Sequence, residues 1–214
     1  MTGRSTFFAA AAAAIAALVA GAGAASAQGF GGSFYLKGFG GATWPSGEEN
    51  ELQFLGGGTD IDVKLDYDTG YVLGVAVGYN YTPNIGVELE YGFRQADLKG
   101  QVSGDTRSNA VMVNAIYRLD GMGADGAFQP YFGAGIGGAN IDLQTEDNGS
   151  FDNNGLFAWQ LIGGVGYRIS PDWTLMGEAR WYSVNSGSLD GADGFSLDSG
   201  FESFDLLLGA AYSF

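Results

Sequence analysis

The sequence predicts an all-β protein in which eight antiparallel strands close up-and-down into a transmembrane β-barrel. Three observations carry that expectation. Apolar residues recur at every second position through segments long enough to cross a bilayer, the pattern of a strand with one apolar face. Connections between these segments alternate short and long, as they do when turns lie on one side of a membrane and loops on the other. Aromatic residues gather at the segment ends and aliphatic ones in the middles, the sorting by depth that two bilayer interfaces select.

An export segment precedes the strands. Arg4 supplies a positive start, Phe7 to Ala20 an apolar run, and Ala25-Ser26-Ala27 a small-residue cleavage site before Gln28. The expected division is a signal peptide at 1–27, cut between Ala27 and Gln28, a flexible glycine-rich lead-in at 28–32, and a barrel domain at 33–214.

The first strand places Phe34, Leu36, Gly38, Gly40, Ala42 and Trp44 outward, and Lys37 and Phe39 inward, before Pro45 ends it. The second is the clearest, with Tyr71, Leu73, Val75, Val77, Tyr79 and Tyr81 outward and small residues between. Its phase runs back through Tyr67, Leu65, Val63 and Ile61, so one long strand is expected to project beyond the membrane. Thr82-Pro83-Asn84 makes a tight turn. The third strand sets Val87, Leu89, Tyr91 and Phe93 outward against Glu88, Glu90 and Arg94 inward.

After a loop at about Gln95–Arg107, the fourth strand turns Val111, Val113, Ala115, Tyr117 and Leu119 out and Met112, Asn114, Ile116 and Arg118 in. A glycine-rich connection, Asp120–Ala127, leads to the glycine-dense fifth strand, Phe128–Asn140, and a polar loop, Asp142–Asn154. The sixth strand puts Phe157, Trp159, Leu161, Val165 and Tyr167 out, with Gln160, Gly164 and Arg168 in. Ser170-Pro171-Asp172 is the next tight turn. The seventh sets Trp173, Leu175, Gly177, Ala179 and Trp181 out and Met176, Glu178, Arg180 and Tyr182 in. A last loop, about Asn185–Glu202, returns to the eighth strand, where Phe204, Leu206, Leu208, Ala210, Tyr212 and Phe214 face out and Asp205 faces in.

Composition narrows the function. Without Arg4, 8 basic residues face 24 acidic ones, which excludes nucleic acid and charge-driven binding to an anionic membrane surface. The chain has neither cysteine nor histidine, so no disulfide framework and no thiolate or imidazole metal site is expected. No apolar run after the signal is long enough for a transmembrane helix. Glycine is abundant, at 38 residues.

Three stretches carry a resemblance: PYFGAGIGG at Pro130–Gly138, GYRISPDWTL at Gly166–Leu175 and the terminal LLLGAAYSF at Leu206–Phe214. With the strand pattern, they make Ser33–Phe214 look like the small eight-stranded outer-membrane barrels of the OmpA transmembrane-domain, OmpX and opacity-protein type. Within that group the chain resembles the porin-family surface antigens of Gram-negative bacteria. The resemblance implies a place in the outer membrane, outer-membrane lipid as its surroundings, and a C-terminal signal at Tyr212 and Phe214 read by the barrel assembly machinery. The chain stops at the barrel, so the peptidoglycan-binding role of full-length OmpA-like proteins is not carried over.

The inward charges are the candidate site: Lys37, Arg94, Arg118, Arg168 and Arg180 against Glu88, Glu90, Glu178 and Asp205. An eight-stranded barrel is only wide enough for side chains to fill, and charges held there must pair. The expectation is a lumen ion-pair network that plugs the barrel. The sharper alternative is a gated, low-conductance pore in which these pairs rearrange. Paired carboxylates also suggest acid–base catalysis, but here arginines neutralise them in a lumen too narrow for substrate, so no enzyme is expected. DNGSFDNN at 147–154 and DGADGFSLD at 190–198 space Asp and Asn as calcium loops do, without the EF-hand pattern, and read better as solvated loops. The GAGIGG run lacks a following helix and is no dinucleotide site. No cofactor or metal is expected. The functional expectation is a structural monomer with a closed, ion-paired lumen serving envelope integrity and surface display, the alternative being loops that recognise a host or matrix ligand.

Overall fold

The computed structural model describes residues 32–46, 49–52, 61–64, 66–99, 104–123, 126–145, 150–190 and 196–214. The expected signal peptide, with Ala27 and Gln28, lies outside the described residues, as do the lead-in up to residue 31 and parts of both acidic stretches weighed for calcium.

Eight strands form the wall: β1 (Ser33–Ser46), β5 (Gly70–Asn80), β6 (Ile85–Lys99), β7 (Gly104–Arg118), β8 (Phe128–Thr145), β9 (Ser150–Arg168), β10 (Trp173–Asp190) and β11 (Ser196–Ser213). Three short strands, β2 (Glu49–Leu52), β3 (Ile61–Lys64) and β4 (Asp66–Tyr67), belong to the first long connection. Each wall strand pairs antiparallel with its sequence neighbours, β7 also with β6, and β1 pairs with β11 from Tyr35↔Ser213 to Ser46↔Glu202. The sheet therefore closes on itself. Closure leaves no free edge in the wall, which a bilayer demands because lipid offers no hydrogen bonds.

The two faces are inverted relative to a water-soluble protein. Outward Leu73, Val113, Ile136, Leu161 and Leu208 are all more than half exposed, while inward Lys37, Glu90 and Arg180 are almost completely buried. The seven strands with an expected facing follow it. Aromatics contact one another around both rims: Phe34 with Tyr79, Phe128 with Tyr167 and Trp173 with Tyr212 on the turn side, Trp44 with Phe204 and Tyr71 with Phe93 on the loop side.

Inward glycines make room for large neighbours. A side chain at Gly74 would enter the Phe39 ring, at Gly78 the Tyr35 ring and at Gly164 the Tyr131 ring. The two tight turns share one device, a hydroxyl that accepts backbone N–H groups. Thr82 Oγ1 accepts from Ile85 N at 2.9 Å, and Ser170 Oγ from Trp173 N at 3.1 Å. The longer connection on this side uses Gly123 and Gly126 at φ of 82° and 62°, where other residues are strained.

Two expectations need correction. The stretch 61–81 is not one projecting strand: Ile61–Lys64 pairs with Glu49–Leu52 as a separate ribbon, and Asp68–Thr69 carries no strand before β5. The polar stretches expected as loops are instead largely strand. β6 and β7 stay paired to Asp97↔Asp105, β8 and β9 to Gln144↔Ser150, and β10 and β11 to Asp190↔Ser196. The reason is that polarity marks where lipid ends, not where backbone pairing ends. β8 to β11, at 18 or 19 residues each, exceed the roughly 9–11 needed to cross. Register shifts at Ala139/Ile141 and Val184/Gly187 fall in the parts that run past this length.

Val75→Arg places a guanidinium on the lipid face of β5. It is expected to cost about 2–4 kcal/mol of folding free energy in a bilayer, read from urea titration in vesicles; an unchanged midpoint would reverse the facing. Unboiled and boiled samples are expected to run at different positions on SDS gels, and identical migration would argue against a closed barrel.

Candidate functional site

The inward positions of β1, β6, β10 and β11 bring the lumen charges together. Lys37 on β1 reaches Glu88 Oε2 on β6 at 2.6 Å and Glu178 Oε1 on β10 at 3.2 Å. Arg180, two residues along β10, donates through Nη1 to Glu90 Oε1 at 2.7 Å, through Nε to Glu178 Oε2 at 2.8 Å, and through Nη2 to the same oxygen. A continuous chain results, Glu88–Lys37–Glu178–Arg180–Glu90, crossing from β6 by way of β1 to β10 and back to β6. All five side chains are buried.

Neutral groups complete the carboxylates' coordination. The Tyr35 and Tyr131 hydroxyls donate to Glu88 Oε1 and Glu178 Oε1, each at 2.7 Å. Asn114 Nδ2 donates to Glu90 Oε2 at 3.0 Å, and Gln160 Nε2 to Asn114 Oδ1 at 2.8 Å. The cations lie against rings: Arg180 Cζ is 4.3 Å and Lys37 Nζ 5.7 Å from the Phe39 centroid.

A second pair sits toward the loop side. Arg94 donates to Asp205 Oδ2 through Nε at 3.0 Å and Nη2 at 2.9 Å, while Thr43 and Ser203 hydroxyls donate to Oδ1 at 2.6 and 3.0 Å. The Arg94 guanidinium stacks 3.7 Å from the Tyr182 centroid. Tyr182 belongs in turn to a buried apolar cluster with Ala110, Met112, Ala139, Ala158, Val184 and Phe201.

Toward the short turns the lumen opens. A cavity of 750 Å³ is lined by Asn80, Pro83, Arg118, Tyr131, Arg168 and Pro171, with Lys37, Glu88 and Glu178 at its inner end. Here lie the two cations that make no ion pair among the described residues. Arg118 donates to the Tyr35 hydroxyl at 2.9 Å and reaches Glu88 only through it. Arg168 is exposed on the cavity wall. Seven of the nine expected network residues are thus joined by ion pairs, and Arg118 and Arg168 stand outside them.

Sequence reasoning turned Asn114, Gln160, Met112 and Tyr182 inward without giving them a role, and did not single out Tyr35 or Tyr131. Facing alone could have found the tyrosines, since both occupy inward positions on strands rich in glycine. On the turn side, outward Tyr212 contacts Trp173 and Phe214, with centroids 5.2 Å apart in each case, and Phe214 N donates to Phe34 O at 3.0 Å. Among the described residues, no cluster of three or more metal-ligating side chains occurs.

The fold has counterparts among solved structures. Neisserial surface protein A is similar at a TM-score of 0.61 with 15% identity, over 86% of this chain and 99% of that one. OprG from Pseudomonas aeruginosa gives 0.55 and 19%, over 86% and 96%. AlkL, determined in lipid bilayers, gives 0.50 and 23%, over 89% and 94%. At such identities the likeness is one of fold. No curated protein sequence matches the chain. The model of the outer membrane protein beta-barrel domain family matches residues 10–214, which is nearly the whole chain. This protein belongs to that family of outer-membrane β-barrels.

Proposed function

We propose that this protein is a structural barrel of the outer membrane, with a lumen sealed by ion pairs and long hairpins displayed on the cell surface. The observation that carries the reading is the five-residue chain Glu88–Lys37–Glu178–Arg180–Glu90, which spans the lumen with all its side chains buried. Two further groups in the lumen support it, the Arg94–Asp205 pair and the apolar cluster beside it.

The ion chain, the Arg94–Asp205 pair and the apolar cluster fill the lumen and oppose passage in different ways. Ions meet carboxylates already held by cations, and water meets a lumen filled with packed side chains. The reading is of a non-catalytic protein, since each belt carboxylate is held by a cation and a neutral donor rather than poised to move a proton. Export with cleavage after Ala27, recognition of Tyr212 and Phe214 by the barrel assembly machinery, and a monomeric state complete the proposal.

In planar bilayers the refolded protein is expected to give a flat trace at all voltages; stepwise currents would favour a pore instead. Arg180→Met leaves Glu90 without a cation and Glu178 with Lys37 alone, and is expected to destabilise the barrel by about 3–5 kcal/mol in urea unfolding from vesicles. Adding Glu90→Gln to Arg180→Met should recover part of that loss. A single variant as stable as the parent would show that the belt does not hold the barrel shut.

A further inference from the structure

The connections on the turn side are of two kinds. Thr82-Pro83-Asn84 and Ser170-Pro171-Asp172 are tight and put no large apolar side chain at their tips. The connection at 120–127 is longer and carries Met122, which is 55% exposed. A single exposed apolar side chain calls for no account, but the backbone fixes where this one points. Met122 and Phe128 are directly opposed and exchange two hydrogen bonds, Met122 N to Phe128 O at 2.7 Å and Phe128 N to Met122 O at 3.1 Å. Directly opposed residues of an antiparallel pair send their side chains to the same face. Phe128 lies on the outer face, its ring centroid 5.1 Å from that of Tyr167 in the turn-side rim. Met122 therefore emerges on the lipid side of the wall.

Both flanks of the connection are tied down. Leu119 N donates to Pro130 O at 2.8 Å, and Arg168 N to Ala127 O at 2.9 Å. Asn84 Nδ2, in the neighbouring turn, donates to Arg118 O at 3.0 Å and to Asp120 Oδ1 at 3.1 Å. Gly121 lets the two limbs meet, since a side chain there would run into the Gly126 backbone. The polar root is thus bound to the next turn, while the apolar members collect on the outer face. Leu119 and Ile169 each stand two residues past a rim tyrosine, Tyr117 and Tyr167, and with Met122 and Phe128 each is about half exposed. Exposed apolar patches mark contact surfaces, membranes among them. This patch runs without a break into the lipid-facing rim through the Phe128–Tyr167 and Tyr117–Phe132 ring contacts, so the same lipid covers both.

We propose that the connection at 120–127 is an interfacial ledge, seated in the boundary between headgroups and acyl chains of the phospholipid leaflet that faces the periplasm. Met122 enters that boundary beside Phe128, and Asp120, held by Asn84, stays with the headgroups and water. Because its backbone is bonded to β8 and to the end of β9, the ledge fixes the depth at which this part of the wall sits. The ledge does not depend on whether the lumen is sealed.

The chain contains no cysteine, so one introduced Cys carries a fluorophore at a single chosen place. Met122→Cys, Leu208→Cys and Pro83→Cys are labelled and refolded into phosphatidylcholine vesicles, with bromine quenchers either high on the acyl chains or near their ends. None of the three positions belongs to the ion chain, and the gel shift verifies that each variant folds. The label at 122 is expected to lose most of its emission to the high bromines and less to the deep ones. The label at 208, on a mid-wall side chain that is 76% exposed, should lose more to the deep bromines. The label at 83 should be quenched by neither. Emission at 122 that matches the label at 83, or that is quenched chiefly by the deep bromines, overturns the ledge. An unquenched label at 208 would overturn the lipid-facing wall and the ledge with it, which distinguishes that failure from a failure of the ledge alone.

Discussion

The ion chain through Lys37 and Arg180 joins parts of the wall that no backbone hydrogen bond joins. Sheet pairing links each strand only to its neighbours, so it sets the circumference of the barrel but not its cross-section. Glu88 and Glu90 on β6 are tied to β1 and β10 across the lumen instead. Low dielectric makes these ties strong and their loss severe. Arg180 is the member on which most depends, since it holds Glu90 with one edge of its guanidinium and Glu178 with the other.

The packing around that chain follows from the narrowness of an eight-stranded lumen. Aromatic rings reach the axis only where the facing wall is reduced to backbone, and glycine provides this at Gly74, Gly78 and Gly164. The rings then do two things. Phe39 lies against both belt cations, and the Tyr35 and Tyr131 hydroxyls fill lone pairs on the carboxylates. High glycine content, which in a soluble core would weaken a strand, here lets a small barrel carry a dense polar interior.

The wall was legible in the sequence because lipid enforces a strict period of two. Parity places the outward apolar positions of seven strands; in the glycine-dense Phe128–Asn140, small residues fall on both faces and parity assigns no facing. Hairpin ends were not legible, because above the membrane both faces meet water and the alternation loses its meaning; Asp142–Asn154 looks like a loop for that reason. The charges of the site were legible as a set, while their partners were not. Parity places Lys37, Glu88 and Glu178 inside, but which charges meet depends on how the strands are staggered around the barrel. The same limit hides the separation of Arg118 and Arg168 from the belt, as both share its parity and differ only in height.

Pairing of β1 with β11 has a consequence for the order of events in assembly. Tyr35 and Ser213 lie at opposite ends of the chain, and Lys37 must wait for Glu178, 141 residues further on. Until the final strand arrives, an inserted sheet would present two bare edges and several uncompensated charges to hydrocarbon. Such a half-built state is disfavoured twice over, by its edges and by its charges. Insertion and closure are therefore coupled in time: the sheet has strong reason to enter lipid only as its ends meet, which makes folding a late, slow and concerted step dominated by the longest-range contacts in the molecule.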